Sequence, residues 1–214
     1  MSISPTIFII PTGIGCEIGG FAGDALPAAK LLASASGCLI THPNVMNGGA
    51  LSEQNKDIFY VEGYSLDRFA KGEIGLKSVK QQKIGIIFDS SIEHEILMRH
   101  LQAADACVAT LGIDVDSYVL TKEPLGIVIE SESQGISEGL IKNPDTLIEA
   151  GERLIEKGIT AIAIVAKFPD NEDLIETNLY REGKGVAPIA VVEAVISHLI
   201  CKFLKVPCAH APAL

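Results

Sequence analysis

The sequence contains no tryptophan, and aromatic residues make up only 5% of its 214 residues. Basic residues are also few, since 17 Lys and Arg stand against 27 Asp and Glu and give a formal net charge of −10. Nucleic-acid binding requires basic patches and, for single strands, aromatic stacking surfaces. The composition therefore predicts no nucleic-acid partner.

The sequence also lacks an apolar run long enough to span a bilayer, and it has no recognisable secretory signal. None of its five cysteines forms a C-x-x-C pair. An odd number of scattered thiols is typical of a reducing compartment. We therefore predict a soluble cytoplasmic protein without a membrane partner.

Apolar residues make up 48% of the chain, which is enough for a large core. Patterning predicts strands that alternate with helices, and this arrangement is typical of an α/β fold with a mostly parallel sheet and helices on both faces. Predicted strands cover about 6–10, 38–41, 58–61, 83–89, 113–120, 125–130, 160–166 and 206–210. Predicted helices cover about 26–36, 92–111, 143–157 and 188–203, and 131–139 is predicted to be a polar loop.

Helix starts are assigned to Asp24, to Ser90 or Ser91, and to Asn143, and Gly37 is predicted to end the first helix. A lysine-rich connector near 71–83 suggests a boundary between an N-terminal βαβ lobe, residues 1–82, and a C-terminal α/β lobe, residues 83–214. One continuous domain is equally compatible with the pattern.

Residues 11–24, PTGIGCEIGGFAGD, contain five glycines and lie between a predicted strand and a predicted helix. Backbone N–H groups at such a helix start bind phosphate or carboxylate. A structural turn that lets the strand and helix pack closely is the alternative. The predicted ligand-binding residues of this loop are Thr12, Gly13, Gly15, Glu17, Gly19, Gly20 and Asp24.

This glycine-rich loop carries neither of the common nucleotide fingerprints. It does not follow G-x-G-x-x-G, and it lacks the Gly-Lys-Ser/Thr ending of a P-loop. Glu17 would also repel a pyrophosphate. We therefore expect a smaller anion, leave the cofactor unknown, and predict no metal site because no C-x-x-C or H-E-x-x-H motif is present.

His42 directly follows a predicted strand and opens a second turn-rich loop, HPNVMNGG, over 42–49. An imidazole at a strand end can act as a general acid or base, because its pKa is near neutrality. Asn44 and Asn47 can orient a carboxylate or amide. The alternative is that all three residues only build the turn.

Three other places offer candidate groups. Lys167 follows the central strand and can bring a cation to a pocket, although pairing with a nearby acid such as Asp170 is equally compatible. Lys184 precedes the last helix and can assist anion binding. Cys208 and His210 are two residues apart on the last strand, so their side chains point to one side. This placement suits either a pair of metal ligands or a thiolate–imidazole pair, and a metal would need further ligands from distant parts of the chain.

Residues 11–24, THPNVMN over 41–47 and VPCAHAP over 206–212 together resemble an uncharacterised cyanobacterial and plastid family, a domain of unknown function. The resemblance covers the whole chain. It implies a cyanobacterial cytosol or plastid stroma and no particular reaction. Members of that family continue beyond the point that matches Leu214. The resemblance therefore also implies a truncated form, a processed fragment or one of two chains, with a second chain or a homo-oligomer as candidate partner.

Residues 83–212 also resemble, at the level of fold, one lobe of the aspartate/glutamate racemase type. Such enzymes use paired cysteines at strand ends. Lys167 occupies the position where a catalytic cysteine would be needed, and this difference counts against racemase chemistry.

The sequence thus predicts an enzyme that acts on a small anionic metabolite, a carboxylate or a phosphate, in a crevice built from several loops. In this hypothesis His42 transfers protons and Lys167 stabilises negative charge, with Cys208 or His210 as a second acid or base. The reaction class is left open. The alternatives are a non-catalytic ligand-binding or assembly protein and a racemase- or lyase-like acid–base enzyme.

Overall fold

The structure, a computed structural model, describes residues 4–10, 25–42, 55–79, 81–131, 137–169 and 188–213. Within these ranges the chain forms nine strands and five helices. In chain order they are β1 (Thr6–Phe8), α1 (Leu26–Ser36), β2 (Leu39–Thr41), β3 (Ile58–Tyr60), α2 (Gly63–Ala70), β4 (Lys83–Phe88), α3 (His94–Leu111), β5 (Asp114–Leu120), β6 (Ile127–Ser131), β7 (Ser137–Ile141), α4 (Pro144–Glu156), β8 (Ala161–Ala166), α5 (Pro188–Leu204) and β9 (Cys208–Pro212).

The strands form two parallel sheets and one hairpin. Strands β1, β2 and β3 make a three-stranded parallel sheet in that order. The larger sheet has the order β5–β4–β8–β9, and all its neighbours are parallel. Strands β6 and β7 pair antiparallel. The predicted α/β fold with a mostly parallel sheet is confirmed.

Helices cover both faces of the four-stranded sheet. Alternate residues of each strand point to opposite faces, so each face presents its own set of side chains to a helix. Ile86, Phe88 and Val165 form one face and pack against the apolar stripe of α3. Ile162 and Ile164 belong to the other face, where α4 and α5 complete the main core. The members of that core contributed by the two helices are Leu147, Ala150, Leu154, Val192, Ile196, Ile200 and Cys201.

The prediction of a polar loop over 131–139 is wrong at its end, because Ser137 begins strand β7. This strand pairs with β6 along its whole length, from Ile127 opposite Ile141 to Ser131 opposite Ser137. The polar and glycine-rich composition concealed it, since the pairing partner and not the local propensity stabilises the strand.

Two predicted helix boundaries are confirmed, and two predicted helix starts are wrong. Gly37 ends α1 with φ 70°, and Asn143 precedes Pro144 at the start of α4. The N-cap of α1 is Ala25 and not Asp24. Helix α3 begins after Glu93 and not after Ser90 or Ser91. The carboxylate of Asp89 accepts hydrogen bonds from Ser91, and the N–H of Ser90 donates to the hydroxyl of Thr121, so both serines lie in a separate turn.

Candidate functional site

A side-chain hydrogen bond joins the chain just beyond β1 to the chain just beyond β2. His42 directly follows β2, and Ile10 lies two residues beyond β1. The backbone N–H of Ile10 donates to Nε2 of His42 over 2.8 Å. Because β1 and β2 are parallel neighbours, their carboxyl ends share one edge of the sheet, which is where open α/β sheets bind ligands.

Further hydrogen bonds hold this edge in place. The hydroxyl of Thr41 donates to the backbone oxygen of Phe8 over 2.9 Å, and the N–H of Val61 donates to the oxygen of Thr41 over 2.7 Å. The side chain of Ile10 packs against the core between α1 and β2. The amide that faces His42 therefore belongs to an anchored strand end.

The Ile10–His42 hydrogen bond also links the starting points of the two predicted loops. The first loop, residues 11–24, begins directly after Ile10, and the second loop, residues 42–49, begins at His42 itself. The remaining predicted ligand residues lie outside the described residues. They are Thr12, Gly13, Gly15, Glu17, Gly19, Gly20, Asp24, Asn44, Asn47 and Lys184.

His42 is buried, with only 6% of its surface exposed. This burial lowers its pKa from the ordinary value, because the charged ring loses solvation. The ring is therefore neutral at physiological pH. An acceptor nitrogen needs a free lone pair, so the bond from Ile10 fixes the remaining proton of the neutral ring on Nδ1.

A second polar cluster lies at the carboxyl edge of the four-stranded sheet, around Asp89. This carboxylate follows β4 and is 1% exposed. Its Oδ1 accepts hydrogen bonds from the N–H of Ser91 (3.0 Å), the hydroxyl of Ser91 (2.8 Å) and the N–H of Leu125 (3.2 Å). Its Oδ2 accepts from the N–H of Lys167 at 3.4 Å. The donors compensate for the burial of the charge.

Lys167, the predicted cation, follows β8 at this same edge. Its ammonium group forms an ion pair with Glu93, the residue before α3. The hydrogen bond from Lys167 lowers the pKa of the Glu93 carboxyl. Lys167 is thus paired with an acid, as the sequence allowed, and the acid that the structure describes is Glu93. Asp170, the acid suggested by the sequence, lies outside the described residues.

Cys208 and His210 lie on β9 and face α5. Cys208 is 1% exposed, and burial raises the pKa of its thiol, so the sulfur stays protonated. Ser197 of α5 hydrogen-bonds Nδ1 of His210. Burial lowers the pKa of His210 to about 4, so that this ring is also neutral at physiological pH.

Strand register places Lys167 and His210 on opposite sides of the four-stranded sheet. His210 is opposite Ile164 on β8, and both side chains point toward α5. Lys167 instead reaches Glu93 at the start of α3, the helix that covers the other face. The two groups therefore cannot act together across a short distance in this arrangement.

Sequence reasoning missed Asp89, Glu62 and Ser197. Glu62 is 4% exposed, accepts from the N–H groups of Tyr64 and Ser65 at the start of α2, and lies 3.6 Å from Nε2 of His198 on α5. An acid directly after a buried strand was the available signal for Asp89. The contacts of Glu62 with His198 and of Ser197 with His210 offered none, because they depend on how α5 packs against α2 and β9.

The described residues contain neither a candidate metal cluster nor a candidate membrane helix. No group of three or more His, Cys, Asp or Glu residues there is arranged to hold a metal ion. No helix in the described ranges is both long and apolar enough to cross a membrane.

Comparison with known proteins places the chain among uncharacterised sequences. It is 50% identical over 209 residues to an uncharacterised lipoprotein of Synechococcus sp. (strain ATCC 27144). The match covers 98% of this chain but only 58% of that relative. No solved structure matches the chain. Residues 5–214 match a family described as a protein of unknown function, DUF3326, and the chain belongs to that family.

Proposed function

We propose that this protein is an enzyme that acts on a small anionic metabolite, a carboxylate or a phosphate, at the carboxyl edge of the three-stranded sheet. The observation that carries the proposal is the hydrogen bond between Ile10 and His42. This bond holds a buried imidazole at the strand ends that the predicted loops 11–24 and 42–49 follow. Such edges are the usual ligand sites of parallel sheets.

The sequence supplies the rest of the proposed site. Backbone N–H groups of 13–20 would hold the anion, as glycine-rich stretches before helices do. Asn44 and Asn47 would orient the ligand through neutral hydrogen bonds. Lys184 would add positive charge, which a protein with a formal net charge of −10 needs for attracting an anion.

Lys167, Cys208 and His210 stay outside the core of this proposal. Lys167 would assist only a ligand that displaces Glu93 from its ammonium group. Cys208 is a protonated, buried thiol, and such thiols are poor nucleophiles. His210 is occupied at Nδ1 by Ser197.

Binding of inorganic phosphate, malonate and citrate tests the proposal. We expect at least one of them to raise the melting temperature of the wild type and to do so much less for His42→Gln. A glutamine amide oxygen can still accept the N–H of Ile10, so the strand ends stay joined. The matched control is His94→Gln, because His94 is exposed at the start of α3. Equal stabilisation of wild type and His42→Gln would remove His42 from the site.

Turnover separates an enzyme from a binding protein. Any acid that stabilises the wild type is incubated with it and followed by proton NMR for new products. Binding without product, for every acid that binds, favours the non-catalytic ligand-binding or assembly alternative.

The name of the Synechococcus relative bears on where the protein is located in the cell. We propose a cytosolic or stromal protein, whereas the name of the Synechococcus relative calls that protein a lipoprotein. Fractionation of native cells distinguishes the two. Recovery of the protein in the membrane fraction, with release by detergent and not by salt, would contradict the cytosolic location.

A further inference from the structure

We propose that His42 serves the ligand as a neutral hydrogen-bond donor through Nδ1, and not as its general base. The inference rests on the proposed function, since it assigns the role of one group in that site. It changes the role that sequence alone suggested, proton transfer, into stabilisation of a ligand oxygen. The ligand must accordingly present a carbonyl, carboxylate or phosphoryl oxygen to the ring.

The geometry at Nε2 decides the form of the ring. The N–H of Ile10 lies 2.8 Å from this nitrogen and can only donate. Nε2 must therefore keep its lone pair, and the neutral ring carries its single proton on Nδ1. A base acts through an unprotonated nitrogen. The only such nitrogen of His42 is already occupied by a backbone amide.

Protonation of the ring would disrupt this contact. An imidazolium would place an N–H on Nε2 directly against the N–H of Ile10, so two donors would face each other. Ile10 cannot easily turn away, because its side chain packs against the core cluster that includes Ala29 and Leu39. Burial lowers the pKa of His42 and acts in the same direction. Among the described residues, no charged side chain contributes to the shift of this pKa.

Nδ1–H is the group that the ring has left to offer. Within the described part of the chain, the single hydrogen bond of the His42 side chain is the one at Nε2. The N–H at Nδ1 is the group through which the ring can bind an oxygen of the ligand.

This arrangement suits a reaction in which negative charge grows on an oxygen. A neutral donor held in place stabilises such charge without giving up its proton, as the donors of an oxyanion hole do. No bond to hydrogen is broken, and the proton remains on Nδ1 throughout. The proton transfers of the reaction must then be carried out by other groups.

The tautomer is directly measurable in the protein without ligand. Long-range proton–nitrogen NMR spectra of uniformly ¹⁵N-labelled protein distinguish a protonated Nδ1 from a protonated Nε2. We expect the Nδ1–H form of His42 at pH 8, with imidazolium appearing only below pH 6.5. A protonated Nε2, or titration near pH 6.5, overturns the inference and leaves the proposed site intact.

Two substitutions test the donor in the presence of inorganic phosphate and malonate. An asparagine amide can place a donor near the position of Nδ1, whereas glutamine replaces only Nε2. We expect His42→Asn to bind the acid more tightly than His42→Gln, which loses about tenfold in affinity. Wild-type affinity in His42→Gln overturns the donor role. Absence of binding to wild type, with the Nδ1–H form present, overturns the proposed function and the donor role together.

Discussion

The hydroxyl of Tyr60 donates a hydrogen bond to the backbone oxygen of Cys208 over 2.9 Å and thereby connects the two parallel sheets. Tyr60 ends β3 in the three-stranded sheet, and Cys208 begins β9 at the edge of the four-stranded sheet. Burial raises the pKa of Tyr60, so the phenol remains a donor at all physiological pH values. The carbonyl of Cys208 depends on this donor.

Replacing Tyr60 with phenylalanine should lower the free energy of unfolding by about 1 kcal/mol, because the carbonyl of Cys208 loses its partner. Urea denaturation measures the change. Tyr118→Phe is the matched control, since Tyr118 is 49% exposed on β5 and its loss of a hydroxyl should have little effect. Equal stability of Tyr60→Phe and wild type would show that this hydrogen bond contributes nothing to holding the sheets together.

Asp89→Asn should destabilise the fold by about 1–3 kcal/mol. The carboxylate accepts from Ser91 and Leu125 on one oxygen and from Lys167 on the other. An amide would turn an NH₂ group toward one of these N–H donors. The control is Asp105→Asn on the exposed side of α3, for which we expect almost no change. If chemical denaturation finds the two variants equally stable, the Asp89 network is not structural.

Much of the fold could be predicted because its signals are local. Strand β8 is recognised from its own apolar run. The end of α1 at Gly37 and the start of α4 after Asn143 are recognised from the few residues around them. The position of His42 beyond a strand was equally local. Its hydrogen bond to Ile10 was not, because that contact depends on the pairing of β1 with β2.

The parts that could not be predicted depend on contacts between distant residues. The serines after Asp89 resemble helix caps in sequence, but the buried carboxylate binds Ser91 and shifts the helix start to Glu93. Likewise, nothing local to Lys167 indicates that its partner is Glu93, 74 residues away. Separation of Lys167 from His210 follows from strand register, which a single sequence does not define.

Lys167→Gln should raise the pKa of the Glu93 carboxyl toward its ordinary value, because the hydrogen bond from Lys167 is what lowers it. The ¹³C chemical shift of the side-chain carboxyl carbon of Glu93, followed against pH, reports its titration directly. Lys122→Gln is the matched control, since Lys122 pairs with Glu149 elsewhere on the surface. An unchanged Glu93 pKa in Lys167→Gln would mean that the ammonium group of Lys167 does not bind the Glu93 carboxylate.

Gly139→Ala should destabilise the protein by about 1–3 kcal/mol through overpacking. A Cβ at Gly139 would lie 2.1 Å from Cγ2 of Val192, which is fully buried in the core, and 3.3 Å from the Val192 backbone nitrogen. Strand β7 or helix α5 would have to move. Gly75→Ala provides the control, because no atom lies within 4 Å of its Cβ position. A melting temperature of Gly139→Ala that equals that of Gly75→Ala would contradict the close packing of β7 on α5.

Acid should destabilise the fold through His210. Its pKa is about 4 in the folded protein and roughly 6.5 in an unfolded chain, so the unfolded state binds an extra proton between these values. The contribution of His210 to the free energy of unfolding is therefore constant above about pH 6.5. It falls as the pH decreases toward 4, by at most about 1.4 kcal/mol per pH unit. His210→Asn keeps an amide facing Ser197 but cannot titrate, so urea denaturation from pH 7 to 4 should show a shallower slope. The exposed His94→Asn should retain the wild-type slope, and an identical slope in His210→Asn would exclude His210 as its source.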